Sequence, residues 1–142
     1  MTSHVYQQKP LAPDELVGRV DPDGKVYETR LGPDKYVGRV DIDSGKIYEA
    51  RLGPDTYLGH VDLGSGKVFR HKPMALDEYL GRVDEDGRFF HQRLLAKDDY
   101  LGKMTEMASY AHGGAAFLLL IWPDFEKVQT EKKAKEEEPK KK

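Results

Sequence analysis

One block recurs along this chain with a glycine at its centre, and that recurrence limits the fold more than any other feature. The copies are Leu16-Val17-Gly18-Arg19-Val20-Asp21, Tyr36-Val37-Gly38-Arg39-Val40-Asp41, Tyr57-Leu58-Gly59-His60-Val61-Asp62 and Tyr79-Leu80-Gly81-Arg82-Val83-Asp84, with a fading fifth at Tyr100-Leu101-Gly102-Lys103-Met104. The first four continue through a turn into Lys/Arg-Val/Ile/Phe-Tyr/Phe. Glycine to glycine, successive offsets are 20, 21, 22 and 21 residues. A period this short describes a supersecondary unit that cannot bury its own apolar surface and must pack on its neighbours.

Length varies at two places only. Copies one and four turn on Asp21-Pro22-Asp23-Gly24 and Asp84-Glu85-Asp86-Gly87, whereas copies two and three insert a residue, as in Asp41-Ile42-Asp43-Ser44-Gly45. The links between copies are Arg-Leu-Gly-Pro-Asp at 30–34 and 51–55, and one residue longer elsewhere. Insertions confined to two sites mark those sites as loops and fix the register between them. Asp at the first corner, Pro with its preset φ and Gly supplying positive φ favour a hairpin turn. Each copy therefore predicts one strand up and one down, the copies joining edge to edge in an antiparallel meander of about ten strands between residues 3 and 105. His4-Val5-Tyr6 matches Lys25-Val26-Tyr27, so the chain opens on the second strand of an incomplete copy. Simple alternation puts Tyr36, Gly38 and Val40 on one face and Val37 and Arg39 on the other, leaving neither face cleanly apolar. The expected fold is all-β, a curved single sheet or a partly closed roll. A glycine in mid-strand implies a bend, or close approach of a ring or backbone.

The hairpin pattern, Tyr-x-Gly opening a strand followed by a second aromatic strand, resembles the MORN-type repeats over residues 4–104. That resemblance implies an elongated hairpin sheet serving as an interaction or membrane-adjacent scaffold, with no catalytic residues to carry over.

Past residue 105 the pattern stops. The domain reading is a repeat domain at 1–105, an apolar capping segment at 106–125 and a charged tail at 126–142 that is disordered or a frayed solvated helix. Ala111 to Trp122, ending in Phe117, Leu118, Leu119, Leu120, Ile121 and Trp122, is the only strongly apolar run, which Pro123 stops. It is too short to span a bilayer, which takes about 20 apolar residues. It reads as a strand or helix covering one face of the sheet, with Gly113-Gly114 as hinge, or as an exposed handle for a partner.

Net charge is -2 and there is no cysteine. No global field favours nucleic acid, and disulfides and thiolate metal sites are excluded. The first residues lack a basic start followed by an apolar stretch, which makes cytoplasmic the default expectation. The Asp-x-Asp-Gly loops suggest calcium, but each offers two acidic positions without a distal bidentate Glu, and Asp62-Leu63-Gly64-Ser65-Gly66 has lost one of the two; they read as turns. The five histidines fall largely at repeat positions where other copies carry Arg, Lys, Glu or Thr, which favours solvated side chains over ligands. Phosphate-loop, dinucleotide, nucleophile-elbow and zinc-protease motifs are absent, so no catalytic residue, metal or cofactor is expected. The expectation is a non-catalytic structural or protein-interaction module, with a protein partner or a second copy joined through edge strands. The alternative is a polymer-binding module, carbohydrate first, gripping its ligand with Tyr36, Tyr57, Tyr79, Tyr100, Arg19, Arg39 and Arg82 by stacking and cation-π contact. An enzyme of unrecognised type is the third reading.

Overall fold

The computed structural model describes residues 2–93 and 95–137, with side chains as far as Glu131. Ten strands follow one another as β1 (Ser3–Lys9), β2 (Ala12–Val20), β3 (Lys25–Glu28), β4 (Lys35–Val40), β5 (Lys46–Glu49), β6 (Thr56–Val61), β7 (Lys67–Arg70), β8 (Glu78–Val83), β9 (Arg88–His91) and β10 (Asp99–Met104). They pair in sequence order, and β1 pairs with β10, so the meander closes into a barrel. The curved-sheet alternative gives way to full closure, as does the elongated sheet that the MORN-type resemblance implied. Closure also removes the edge strands on which self-association was expected to rest.

Closure is achieved by a shared fifth module. The copy that begins at β10 lacks a following second strand, and β1 supplies it, with Met104 opposite Val5, Lys103 opposite Tyr6 and Gly102 opposite Gln7. This is the register inside a covalent module, where Val20 faces Val26, Arg19 faces Tyr27 and Gly18 faces Glu28. The first and last strands are thus joined by hydrogen bonds alone.

Between modules each register slips by one residue. Val26 pairs with Gly38 but Tyr27 with Tyr36, which leaves Val37 bulged out of the ladder. The same slip recurs at Ile47/Tyr48 and Val68/Phe69. A bulge turns the residues beyond it to the opposite face. Tyr36 therefore lies outside with Tyr27, while Gly38 and Val40 face inward, which corrects the face assignment made by plain alternation. With the bulge in place the inner wall is apolar except on β1, where Ser3 and Gln7 are also buried. Val5, Val20, Val26, Ile47, Val61, Val68, Val83 and Phe89 are all at most 1 % exposed.

The apolar C-terminal run fills this wall's interior. Thr105 to Ser109 lead from β10 into a continuous helix, α-helical in α1 (Tyr110–Ala116), π-helical over Phe117–Ile121 and α-helical again in α2 (Trp122–Glu137). Residues 111–122 are buried on every side, as expected of a helix surrounded by protein. The segment expected to cap the sheet does pack inward, running inside the closed barrel with its residues in the core. The helix enters at the end bearing the hairpin turns, where His112 Nε2 donates to the Pro22 carbonyl at 2.9 Å and Ser109 caps the first turn. It leaves at the end bearing the links. The charged tail continues as helix to Glu137, exposed over residues 127–131, and residues 138–142 lie outside the described residues. No helix among the described residues is long and apolar enough to cross a membrane.

Wall and helix complement each other in two layers. Near the turns the wall carries Val20, Val40, Val61, Val83 and Met104, and there the helix is small: a Cβ on Gly113 would lie 3.0 Å from Val83 Cγ1, and one on Gly114 would overlap Val61. Gly113-Gly114 is therefore a packing site, not a hinge. Nearer the links the wall carries the repeat glycines and the helix is large. An added Cβ would lie 2.7 Å from Leu120 at Gly18, 2.9 Å from Leu119 at Gly38 and 3.1 Å from Leu118 at Gly59, besides striking the carbonyl of the neighbouring strand. Phe117 meets Phe89 of the fourth module edge to face at 6.2 Å. Four consecutive helix residues thus address modules four, three, two and one in turn. An α-helix advances about 100° per residue, whereas five modules around a ring stand about 72° apart. The wider π-turn, in which the Trp122 N–H reaches the Phe117 carbonyl, shortens the angular step toward that spacing.

Candidate functional site

The outer belt carries the aromatic and cationic residues read from the sequence as a ligand surface. Arg19 lies over the Tyr27 ring at 4.0 Å, Arg39 over Tyr48 at 4.3 Å and Arg82 over Phe90 at 4.7 Å, and His60 stacks on Phe69 at 4.9 Å. Each of these four side chains also reaches the Asp that opens the next module: Arg19 to Asp34, Arg39 to Asp55, His60 to Asp77 and Arg82 to Asp98. Arg19, Arg39 and Arg82 are thus each stacked on one module's ring and bonded to the next module's carboxylate. Tyr36, Tyr57 and Tyr79 lie against Tyr27, Tyr48 and Phe69 across the module boundary, at ring separations of 5.4 to 5.7 Å. Burial raises the phenol pKa of all three.

At the non-covalent seam the belt changes hands. Lys103 stands where an arginine would, and Tyr100 instead donates its hydroxyl to Asp14 on β2 at 2.8 Å, bridging over β1. Burial, reinforced by that bond to Asp14, pushes the Tyr100 phenol up to about 12. A phenol raised in the folded state stabilises the fold below its unfolded value of about 10, and that stability disappears as pH climbs through the folded value. Tyr100→Phe is therefore expected to cost about 1 kcal/mol at neutral pH and to flatten the loss of thermal stability between roughly pH 10 and 12; thermal melts across that range decide it.

The mouth through which the helix leaves is where the modules differ. Opposite the five wall glycines stand Gln7, Glu28, Glu49, Arg70 and His91. Two of these hold α2. Arg70 bonds Glu126 as well as Glu78, and His91 packs against Trp122 and Phe125 at 5.3 and 5.0 Å. The Arg70 hydrogen bond keeps the Glu78 carboxyl below the usual carboxylate range. A cleft of about 630 Å³ runs between α2 and this side of the barrel, lined by Arg70, His91, Trp122, Phe125 and Glu126 of that docking contact together with the paired Arg93 and Asp99.

Beyond the mouth lies a feature that the sequence reading passed over. Leu11, Leu31, Leu52, Met74 and Leu95 sit one to each link, at 103 to 109 % of the exposure of a free residue. In three of the links the apolar residue itself takes the left-handed conformation, with φ of 56° at Leu11, 59° at Met74 and 58° at Leu95, where the short links use Gly32 and Gly53. A large side chain there costs on the order of 1 kcal/mol. It gains no packing in return. These five apolar tips, with Leu76 also exposed beside Met74, form a crown around the mouth, and the signal that would have found them was the Leu or Met recurring at a loop position that otherwise favours polar residues.

At the opposite end the turn carboxylates are occupied by the turns themselves. Asp41, Asp62 and Asp84 accept the backbone N–H two residues on, at 2.9 to 3.1 Å. The Ser65 hydroxyl, then the Gly64 N–H, lowers the Asp62 pKa. Among the described residues no three carboxylate or imidazole groups are grouped to hold a metal ion.

No family model, curated protein or solved structure matches this chain.

Proposed function

We propose that the protein is a non-catalytic interaction module whose contact surface is the crown of exposed tips at the link end. The observation that carries this reading is the pairing of strain with exposure at Leu11, Met74 and Leu95. Folding alone would favour Gly, Asn or Asp there. A side chain that costs the fold and packs on nothing within it is retained for something outside it. The outer belt supports the same reading from the other side, since its arginines are already bonded within the barrel.

The test is site-specific photocrosslinking in the cells that make the protein, with a benzophenone amino acid replacing Leu52 at the crown or Asp43 at the turn end. Adducts at position 52 and none at 43 are expected. Equal labelling at both, or none at 52, would remove the crown as the contact surface.

The polymer-binding alternative keeps one specific support. Between modules four and five a shallow outer groove is lined by Arg88, Phe90, Tyr100 and Lys103. Among the described ion pairs neither of these cations has a carboxylate partner, unlike the belt arginines.

A further inference from the structure

At every module boundary a residue of one module's second strand faces the belt residue of the next module across the ladder: His4 faces Arg19, Lys25 faces Arg39, Lys46 faces His60, Lys67 faces Arg82 and Arg88 faces Lys103. At the first four a carboxylate holds the belt residue, Asp34, Asp55, Asp77 and Asp98 in turn. At the fifth the equivalent acid, Asp14, accepts the Tyr100 hydroxyl instead, and Asp84 accepts the backbone N–H groups of Asp86 and Arg88. Among the described ion pairs, only here do two permanently charged side chains face each other with no carboxylate on either. Like charges directly opposite on a sheet repel, so an anion between Arg88 and Lys103 would stabilise the wall.

We infer that this groove binds a nucleoside monophosphate, its phosphate between Arg88 and Lys103 and its base against Phe90 and Tyr100. The inference is separate from the crown and rests on the groove being a ligand site, as the polymer reading also holds.

Charge selects the phosphate. Two cations on one rung converge on a single group, and a phosphate monoester brings nearly two negative charges and three acceptor oxygens at neutral pH, where a carboxylate or a phosphodiester brings one charge. The planar guanidinium of Arg88 matches two of those oxygens at once. The rings select what the phosphate carries. Phe90 and Tyr100 face each other on the rung two residues further along β9, about 7 Å away, with centroids 6.0 Å apart and planes inclined at 60°. Arg82 over Phe90 and Asp14 at the Tyr100 hydroxyl hold both rings in place, which prepares them to stack a base. A nucleotide sets its base one sugar away from its phosphate, a comparable span. The groove offers about 440 Å³, ample for such a molecule. A polymer following the belt would meet arginines already bonded at the neighbouring boundaries, which favours a single nucleotide.

The test is isothermal titration of the full chain with adenosine monophosphate, adenosine, inorganic phosphate, an oligodeoxyadenylate without terminal phosphate and an oligogalacturonate. Saturable binding of adenosine monophosphate is expected, with adenosine and inorganic phosphate each about tenfold weaker or more. Arg88→Gln and Lys103→Gln should each weaken binding to a similar extent without lowering the thermal midpoint, since each also removes the repulsion, whereas Lys67→Gln at the preceding boundary should bind as the parent does. In the parent chain, adenosine monophosphate should protect Lys103 from acetylation and leave Lys67 reactive. Absence of saturable binding, inorganic phosphate binding as tightly as the nucleotide, binding that survives both substitutions, or Lys103 left unprotected would each overturn the inference. If adenosine monophosphate fails while either oligomer binds in a manner that Lys103→Gln abolishes, the groove stands as a ligand site and its occupant is a polymer.

Discussion

A chain ending at Ser109 is expected to lose cooperative unfolding altogether. It would keep all ten strands and every ladder partner, so a sheet stabilised by its own cross-strand contacts would survive the cut. The barrel, however, has no other core. Phe117, Leu118, Leu119, Leu120, Ile121 and Trp122 are each at most 8 % exposed, and burial of such side chains contributes roughly 1.5 to 3 kcal/mol apiece. The six together are therefore on the order of 10 kcal/mol or more, comparable with the whole stability of a domain this size. The wall valines that face them would be uncovered by the same cut. Ten strands enclose more space than wall side chains can fill, an eight-stranded barrel being near that limit, so the emptied lumen must flood or collapse. The truncated chain should bind a hydrophobic dye and show a broad, featureless melt by circular dichroism. A sharp transition near that of the full chain would mean that the helix is an accessory and not the core.

The same helix shows where sequence reasoning stops. The hairpins were legible because turn chemistry and strand register are local: Asp-Pro-Asp-Gly specifies its turn, and Arg19 facing Tyr27 follows from counting back from it. The bulge at Val37 was not legible, because it is set by the neighbouring module and leaves no residue signature of its own. Missing it inverted Tyr36 and made the wall look mixed. The repeat glycines announced a close approach without saying of what. Their partners, Leu118 to Leu120, lie some sixty to a hundred residues further along the chain, and a twelve-residue apolar run reads equally as strand or helix. The belt arginines were found by residue type, but their commitment to carboxylates of the next module emerges only once the ring is closed. The crown was missed for the opposite reason. Its leucines were in plain view in the links, and only the geometry shows that they point away from everything.

Severing the chain at Leu11, between β1 and β2, is expected to give two pieces that fold only together. β1 is the second strand of the fifth module, placed at the other end of the chain, and the ring has no covalent bond across its junction with β10. Without Ser3–Lys9, β10 and β2 would both be left with open edges, and edges of this kind pair with other copies. Residues 12–142 alone should therefore be oligomeric and poorly cooperative. Adding a peptide of residues 1–10 should restore the monomer, because it brings back Val5 at no measurable exposure in the core together with its ladders to Met104 on one side and Gly18 on the other. Since association then becomes bimolecular, the melting temperature should rise with peptide concentration, a dependence the intact chain lacks. A peptide in which Val5 is replaced by Asp would place a charge in the dry wall and should fail to complement. The strand is replaceable in trans only if closure depends on pairing and inward packing, as the matched register of the fifth module indicates. A fragment 12–142 that melts as a monomer at the temperature of the full chain would show instead that four and a half modules wrapped on the helix suffice, and that β1 fills a gap the fold can leave open.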